Sequence, residues 1–260
     1  MKRLFLLLLA GCLMTACSEK PAEPQVVAHR GYWKTEGSAQ NSIASILNAG
    51  RIAAYGSEFD VNLTCDGALV VNHDFTYHGL KIYENTLADL RCDTLRLSNG
   101  EIIPTLDEYL EASKQYPEMK LVFELKSEGD PQYEAVALPA CVEAITRLGV
   151  ADRVEFISFS LSACKEFARL MPKNIVEYLG GEIAPAELNK MGITGIDYEY
   201  NVFYEHPEWI GEAHKLGMVV NTWTVNQEED MRKLLELGVD QITTNEPELA
   251  QRVIKEFSGK

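Results

Sequence analysis

His29 and Arg30 end a short apolar run, Val26–Ala28, and chemistry-bearing residues recur downstream: Glu58 and Asp60, His73 and Asp74, then Glu124 and Lys126. Residues two apart on an extended chain share a face, so Glu58 projects with Asp60, and Glu124 with Lys126. Three acids brought together in a folded interior are costly unless a bound cation or basic partners offset them. All-oxygen ligation suits Ca2+ or Mg2+. The two histidines can give and take protons near neutral pH, and Arg30 with Lys126 can hold an anion. A divalent cation, an acid/base pair and an anion grip together point to phosphoryl chemistry. Taken singly, each residue has a plainer reading: a strand-end histidine is more often a hydrogen-bonded structural group, and Glu-x-Asp is commonly half of an ion pair. A further assignment would make the histidines co-ligands of zinc or manganese.

These residues act together only if the elements bring them to one place. Eight short β-branched or apolar segments, VVAH, GSEFDVNL, KLVFELK, VEFISFS, NIVEYLG, GIDYEYN, MVVNTWTV and QITTN, alternate with stretches of helical periodicity. Several helical stretches stop at glycine. Alternation by itself allows a doubly wound sheet, but eight units of this size fit a (β/α)8 TIM barrel better. In such a barrel the loops at the carboxyl ends of the strands surround one mouth, and His29, Arg30, Glu124 and Lys126 fall at strand ends. One unit is different. ALVVNHD forms an extra strand ending in His73 and Asp74 after an Asp66-Gly67 bend, and residues of about 75–104 form a small inserted subdomain. His78, His206 and His214 read as surface or helix residues. Strand parity lets only one of Tyr198 and Glu199 face inward, and neither is assigned to the site.

The chain has 260 residues and a formal net charge of −15, which argues against binding nucleic acid through its phosphate backbone. Hydrophobic residues at 46% allow a single large core. MKRLFLLLLAGCLMTAC has a basic start and a leucine-rich run too short to span a bilayer, as in an export signal. Small residues before Cys17 resemble a bacterial lipoprotein cleavage box; Cys12 also fits, but cleavage there would strand LMTA. The expected organisation is a signal over 1–17, a tether over 18–25 and one domain over 26–260. The mature protein would be a membrane-anchored lipoprotein, periplasmic or at the cell surface. Cys65, Cys92, Cys141 and Cys164 lack metal-site spacing and are expected to be mostly buried free thiols.

AHRG, EFDVNLTCDGALVVNHD, IPTLDEYL, FELK, NTWTVN and GVDQITTNEP together resemble the glycerophosphodiester phosphodiesterase family, over nearly all of the mature domain. The resemblance implies a TIM barrel that hydrolyses glycerophosphodiesters to glycerol phosphate and an alcohol. It implies that His29 and His73 are the acid/base pair, that Glu58, Asp60 and Glu124 bind Ca2+ or Mg2+, and that Arg30 and Lys126 grip phosphate. One histidine would deprotonate the neighbouring glycerol hydroxyl, the other would protonate the departing alcohol, and water would open the resulting cyclic phosphate. Trp223 would either wall the substrate pocket or pack the barrel mouth. The chain departs from the family at Gln40, where a glutamate is usual, and at Asn245, where an aspartate is usual. Tyr32, Trp33 and Lys34 follow the HRG triplet and would either line a leaving-group site or stand as exposed loop residues. The rival readings are a phospholipase-like enzyme acting on intact lipid headgroups and a non-catalytic phosphate-ester binding lipoprotein.

Overall fold

The computed structural model describes residues 23–127 and 129–259. Among them, eight parallel strands form a barrel: β1 Gln25–Ala28, β2 Gly56–Leu63, β3 Lys120–Leu125, β4 Val154–Ser158, β5 Val176–Tyr178, β6 Gly195–Glu199, β7 Val219–Trp223 and β8 Gln241–Thr244. Each pairs with the next, and β1 pairs with both β8 and β2, which closes the cylinder. The helices that cover it are α1 Ile43–Arg51, α2 Leu106–Ser113, α3 Pro131–Arg147, α4 Leu161–Leu170, α5 Pro185–Lys190, α6 Glu208–Lys215, α7 Glu228–Leu237 and α8 Pro247–Ser258. The expected (β/α)8 fold is the observed one. The expected export signal, with Cys12 and Cys17, and the expected tether as far as residue 22 lie outside the described residues. Gln25, read as tether, already pairs with Gln241 in the barrel. No helix among the described residues is long and apolar enough to cross a membrane.

Alternation along the strands separates core from site. Phe59 and Phe123 point outward, meet edge-on at 5.3 Å and pack beneath the helices, where Phe156 stacks on Phe167 at 4.2 Å. The helices start where the sequence can satisfy their free N–H groups: the Ser42 side chain accepts from Ser45 N, and Thr105 and Glu108 cap α2 reciprocally. Inside the barrel the apolar content is thin, with Val27, Val122, Ile157 and Leu179 clustered against Trp223. Much of the remaining interior is polar, including the buried side chains of Glu155, Glu177, Asp197, Asn221 and Gln241. Tyr55 donates to Glu155 at 2.6 Å, and Gln241 donates to the other oxygen of that carboxylate at 3.2 Å. Burial and then the carboxylate of Asp197 raise Glu177 well above the usual carboxylate range.

The extra strand, Leu69–Val71, pairs antiparallel with β2, but it stops at Val71 and His73 rides on the turn beyond it. The segment that follows carries a short hairpin, Thr76–Tyr77 with Leu80–Lys81, and a helix, Leu87–Leu90. Tyr77, Ile82, Leu90 and Ile103 form its own small core with Val70. Two readings need correction. GIDYEYN is strand only to Glu199, because the Glu199 carboxylate accepts from Asn201 N and starts a helix, Tyr200–Glu205. The four cysteines are free, but Cys65 and Cys92 are exposed and only Cys141 and Cys164 are buried.

Candidate active site

The mouth is organised by the turn after β1. Arg30 and Gly31 have φ of 56° and 73°, so the chain leaves the core strand abruptly. The Arg30 amide thereby donates to Glu58 Oε2 at 2.7 Å, and the Gly31 amide reaches both Ala28 O and Glu58 O at 3.1 Å. A Cβ at Gly31 would stand 2.3 Å from Ser45 Oγ and 2.7 Å from the Ser45 backbone carbon. The HRG triplet therefore needs its glycine to lock β1, β2 and α1 together.

Glu58 and Asp60 on β2 and Glu124 on β3 are buried, and one oxygen from each lies within 4.8 Å of the others. Burial, then the charges of Asp60 and Glu124, raise Glu58 well above the usual carboxylate range. Burial and Asp60 push Glu124 up to about 8, against the pull of Lys126. Asp60 goes the other way: burial would raise it, but Lys126, His73 and Arg30, with a 2.8 Å hydrogen bond from Asn41, outweigh burial and lower it. Glu58 Oε1 and Asp60 Oδ1 are buried and accept no hydrogen bond among the described residues. Buried oxygens left in this state, in an all-carboxylate set, fit a hard divalent cation.

Two basic groups flank the triad. Lys126 Nζ lies 2.8 Å from Glu124 and 3.5 Å from Asp60, so it compensates the acids directly. Arg30 Nε is 3.9 Å from Asp60, while its Nη1 donates to Gln40 Oε1 at 2.6 Å. Gln40 thus holds the guanidinium in place without neutralising it, as a carboxylate at that position would.

The histidines differ in setting. Asn245 Oδ1 meets His29 Nδ1 at 2.9 Å and Trp33 Nε1 at 3.0 Å. An indole N–H can only donate, so Asn245 presents its oxygen to both, and His29 carries its hydrogen on Nδ1. The lone pair is left on Nε2, which lies 4.0 Å from Glu58 Oε2. Burial, then the Arg30 charge, push the His29 pKa down to about 4, so the ring is neutral at neutral pH. His73 is more open and bonds Asp74 Oδ1 through Nδ1 at 2.7 Å. Burial lowers its pKa too, with Asp60 opposing.

A cavity of about 260 Å³ opens between these groups. His29, Arg30, Glu58, His73 and Glu124 line one side, and Ile157, Phe159, Leu179, Asp197, Trp223 and Thr243 the other. Asp60 and Lys126 stand behind this lining. The Trp223 ring donates to Asp197 O at 2.9 Å and meets Phe159 edge-on at 5.6 Å. Tyr32, Trp33 and Lys34 do not line the cavity, so the leaving-group reading of these residues is not the one observed. They bind Glu248, Asn245 and Glu246, clasping the loop after β8 and the start of α8. Sequence reasoning missed Asn41, Phe159 and Asp197. Asp197 lies two residues before Glu199 on the inner face of β6, so strand parity could have found it. His78, His206 and His214 bond Arg96 O, Glu208 and Asp240, away from this cavity.

Fold and site define a (β/α)8 barrel with two histidines, cationic side chains and a buried acidic triad gathered at its carboxyl-terminal mouth. The model of the glycerophosphoryl diester phosphodiesterase family matches residues 29–249. A glycerophosphodiester phosphodiesterase from Caldanaerobacter subterraneus subsp. tengcongensis is 29% identical over 244 residues, covering 88% of this chain and 97% of that protein. A crystal structure of a glycerophosphodiester phosphodiesterase from Parabacteroides distasonis is 47% identical, with a TM-score of 0.88 over 91% of this chain and 98% of its own. An Oleispira antarctica phosphodiesterase, solved with the product sn-glycerol-3-phosphate, is 28% identical, with a TM-score of 0.77 over 89% of this chain and 97% of its own. The chain belongs to the glycerophosphoryl diester phosphodiesterase family and is an enzyme, a phosphoric diester hydrolase.

Proposed function

We propose that this enzyme cleaves glycerophosphodiesters to glycerol phosphate and an alcohol, with His29 as the initial base and His73 as the initial acid. The observation that carries the reading is the neutral His29 ring, hydrogen-bonded at Nδ1 and bare at Nε2, on the same cavity as His73, Glu58 and Glu124. In the first step Nε2 takes the proton of the glycerol hydroxyl next to the phosphate. That oxygen bonds to phosphorus, the bond to the alcohol breaks, and His73 delivers a proton to the departing oxygen. In the second step His73 takes a proton from water, the water oxygen opens the cyclic phosphate, and His29 returns its proton to the glycerol oxygen. His73 suits the initial acid role because it is the more exposed ring, where alcohols of different size can leave, and Asp60 and Asp74 oppose the burial that lowers its pKa.

Arg30 faces the cavity and would hold a phosphate oxygen, with Lys126 behind it stabilising the acids. Glu58, Asp60 and Glu124 would hold Ca2+ or Mg2+, which when bound supplies electrostatic stabilisation of the phosphate charge. The test uses purified protein with glycerophosphocholine or glycerophosphoethanolamine, and intact phospholipid as the contrast. Turnover of the first two, with little of the third, is expected. His29→Ala and His73→Ala are each expected to lower kcat by roughly 10²–10⁴. Undiminished hydrolysis in either variant would remove that histidine from the mechanism.

A further inference from the structure

Asp197 is the one acid on the cavity wall that the acid/base, cation and phosphate assignments leave without a task. It is 1% exposed, and its Oδ1 is buried with no hydrogen-bond partner among the described residues. An unsatisfied buried polar atom is costly, so one that borders a substrate cavity points to a partner supplied by the substrate. Register explains why Asp197 meets the cavity while Glu155 and Glu177 do not. Gly195 pairs with Glu177, so the next inward positions, Asp197 and Leu179, come level with each other, and both line the cavity. Glu155 and Glu177 each sit two residues nearer the amino-terminal end than Ile157 and Leu179, whose apolar side chains close the cavity floor above them.

The neighbours of Asp197 narrow the ligand chemistry. Leu179, Ile157 and Trp223 offer apolar surface suited to carbon, and Thr243 lines the same wall with its Oγ1 donating to Asn221 at 3.1 Å. That hydroxyl keeps its lone pairs as acceptors. Asp197, Leu179 and Thr243 are buried and enclose the deep end of the cavity, whereas the more open His73 and the 46% exposed Phe159 stand at its rim. A small, constant polyol fits the enclosed end, and a leaving alcohol of variable size fits the open one. We propose that Asp197 is a specificity-determining residue that hydrogen-bonds the terminal hydroxyl of the substrate's glycerol group, distinguishing glycerol from a deoxygenated diol. The inference rests on the phosphodiesterase reading above.

The experiment compares two ethanolamine phosphodiesters, one of glycerol and one of propane-1,2-diol, which keeps the attacking hydroxyl and lacks the terminal one. A site built to bond a hydroxyl rejects the analogue without it strongly, so the wild type is expected to favour glycerol by roughly 10²-fold or more in kcat/KM. In Asp197→Leu the preference should fall to within about tenfold, through loss on the glycerol substrate alone. Asp197→Asn, which keeps the shape, should retain part of the preference. Inhibition by sn-glycerol 3-phosphate and by propanediol phosphate gives a second reading that needs no turnover: only the first should weaken in Asp197→Asn. Equal loss on both substrates, a wild type indifferent to the missing hydroxyl, or a changed preference among leaving alcohols would each overturn the assignment. If the wild type cleaves neither diester, the phosphodiesterase reading itself fails, and this inference with it.

Discussion

A single oxygen atom, Asn245 Oδ1, fixes the chemical form of His29, because Trp33 and the imidazole must both donate to it. An aspartate in that place would keep both contacts and add a charge beside Nδ1, which favours the imidazolium. Asn245→Asp is therefore expected to raise the His29 pKa from about 4 toward neutrality. With His29 as the base in the free enzyme, the acid limb of kcat/KM should move up by about one pH unit or more, so activity near pH 5 falls relative to pH 8. A pH–rate profile checks this, and an unmoved acid limb would take His29 out of the base role. Glu58 with Asp60 and Glu124 with Lys126 were legible in the sequence because the two-residue strand period announces shared faces. The Asn245 contact was not, since it spans 216 residues and joins two loops that only barrel closure brings together.

The strands and helices themselves were legible, because each outward strand face must be apolar to meet a helix, and α1 to α4 carry their own side-chain N-caps. Where loops do the work, periodicity has nothing to report. Phe159 just after β4, and the fold-down of Tyr32, Trp33 and Lys34 onto the segment after β8, both lay beyond it. The turn between β1 and α1 offers a direct measurement of how tightly an element can hold a site. Gly31 and Gly37 have nearly the same φ, 73° and 74°, but a Cβ at Gly31 strikes Ser45, whereas one at Gly37 meets nothing within 4 Å. Gly37→Ala should cost about 1–2 kcal/mol, the strain of a left-handed non-glycine residue. Gly31→Ala adds overpacking against backbone, worth a further 1–3 kcal/mol or so, and displaces the amides that hold Glu58. Denaturant unfolding and kcat of the two variants check this. Equal stability losses would mean that crowding at Ser45 plays no part in holding the HRG turn.

At the scale of the whole molecule, the barrel interior stores acids that the unfolded chain would release. Glu124 holds its proton up to about 8, and Glu58, Glu177 and Asp197 are raised as well. Between the ordinary carboxylate range and that value, the folded protein binds more protons than the unfolded chain, so stability falls as pH rises. His29 and His73 act oppositely, since both are lowered and folding expels their protons, but only below the ordinary imidazole value of 6.5. Above it the acids act alone. The Tm of cation-free protein is thus expected to drop between about pH 6.5 and 8, by up to about 1.4 kcal/mol of stability per pH unit for each proton involved. A divalent cation needs the triad deprotonated, so Ca2+ or Mg2+ should raise Tm more at pH 8 than at pH 6.5. Thermal unfolding of the wild type and of Glu58→Gln, with and without cation, checks both halves. A flat profile in the absence of cation would contradict the buried-acid account. A cation increment that survives intact in Glu58→Gln would place the ion elsewhere, because that change removes a charge from the triad while keeping the side-chain shape.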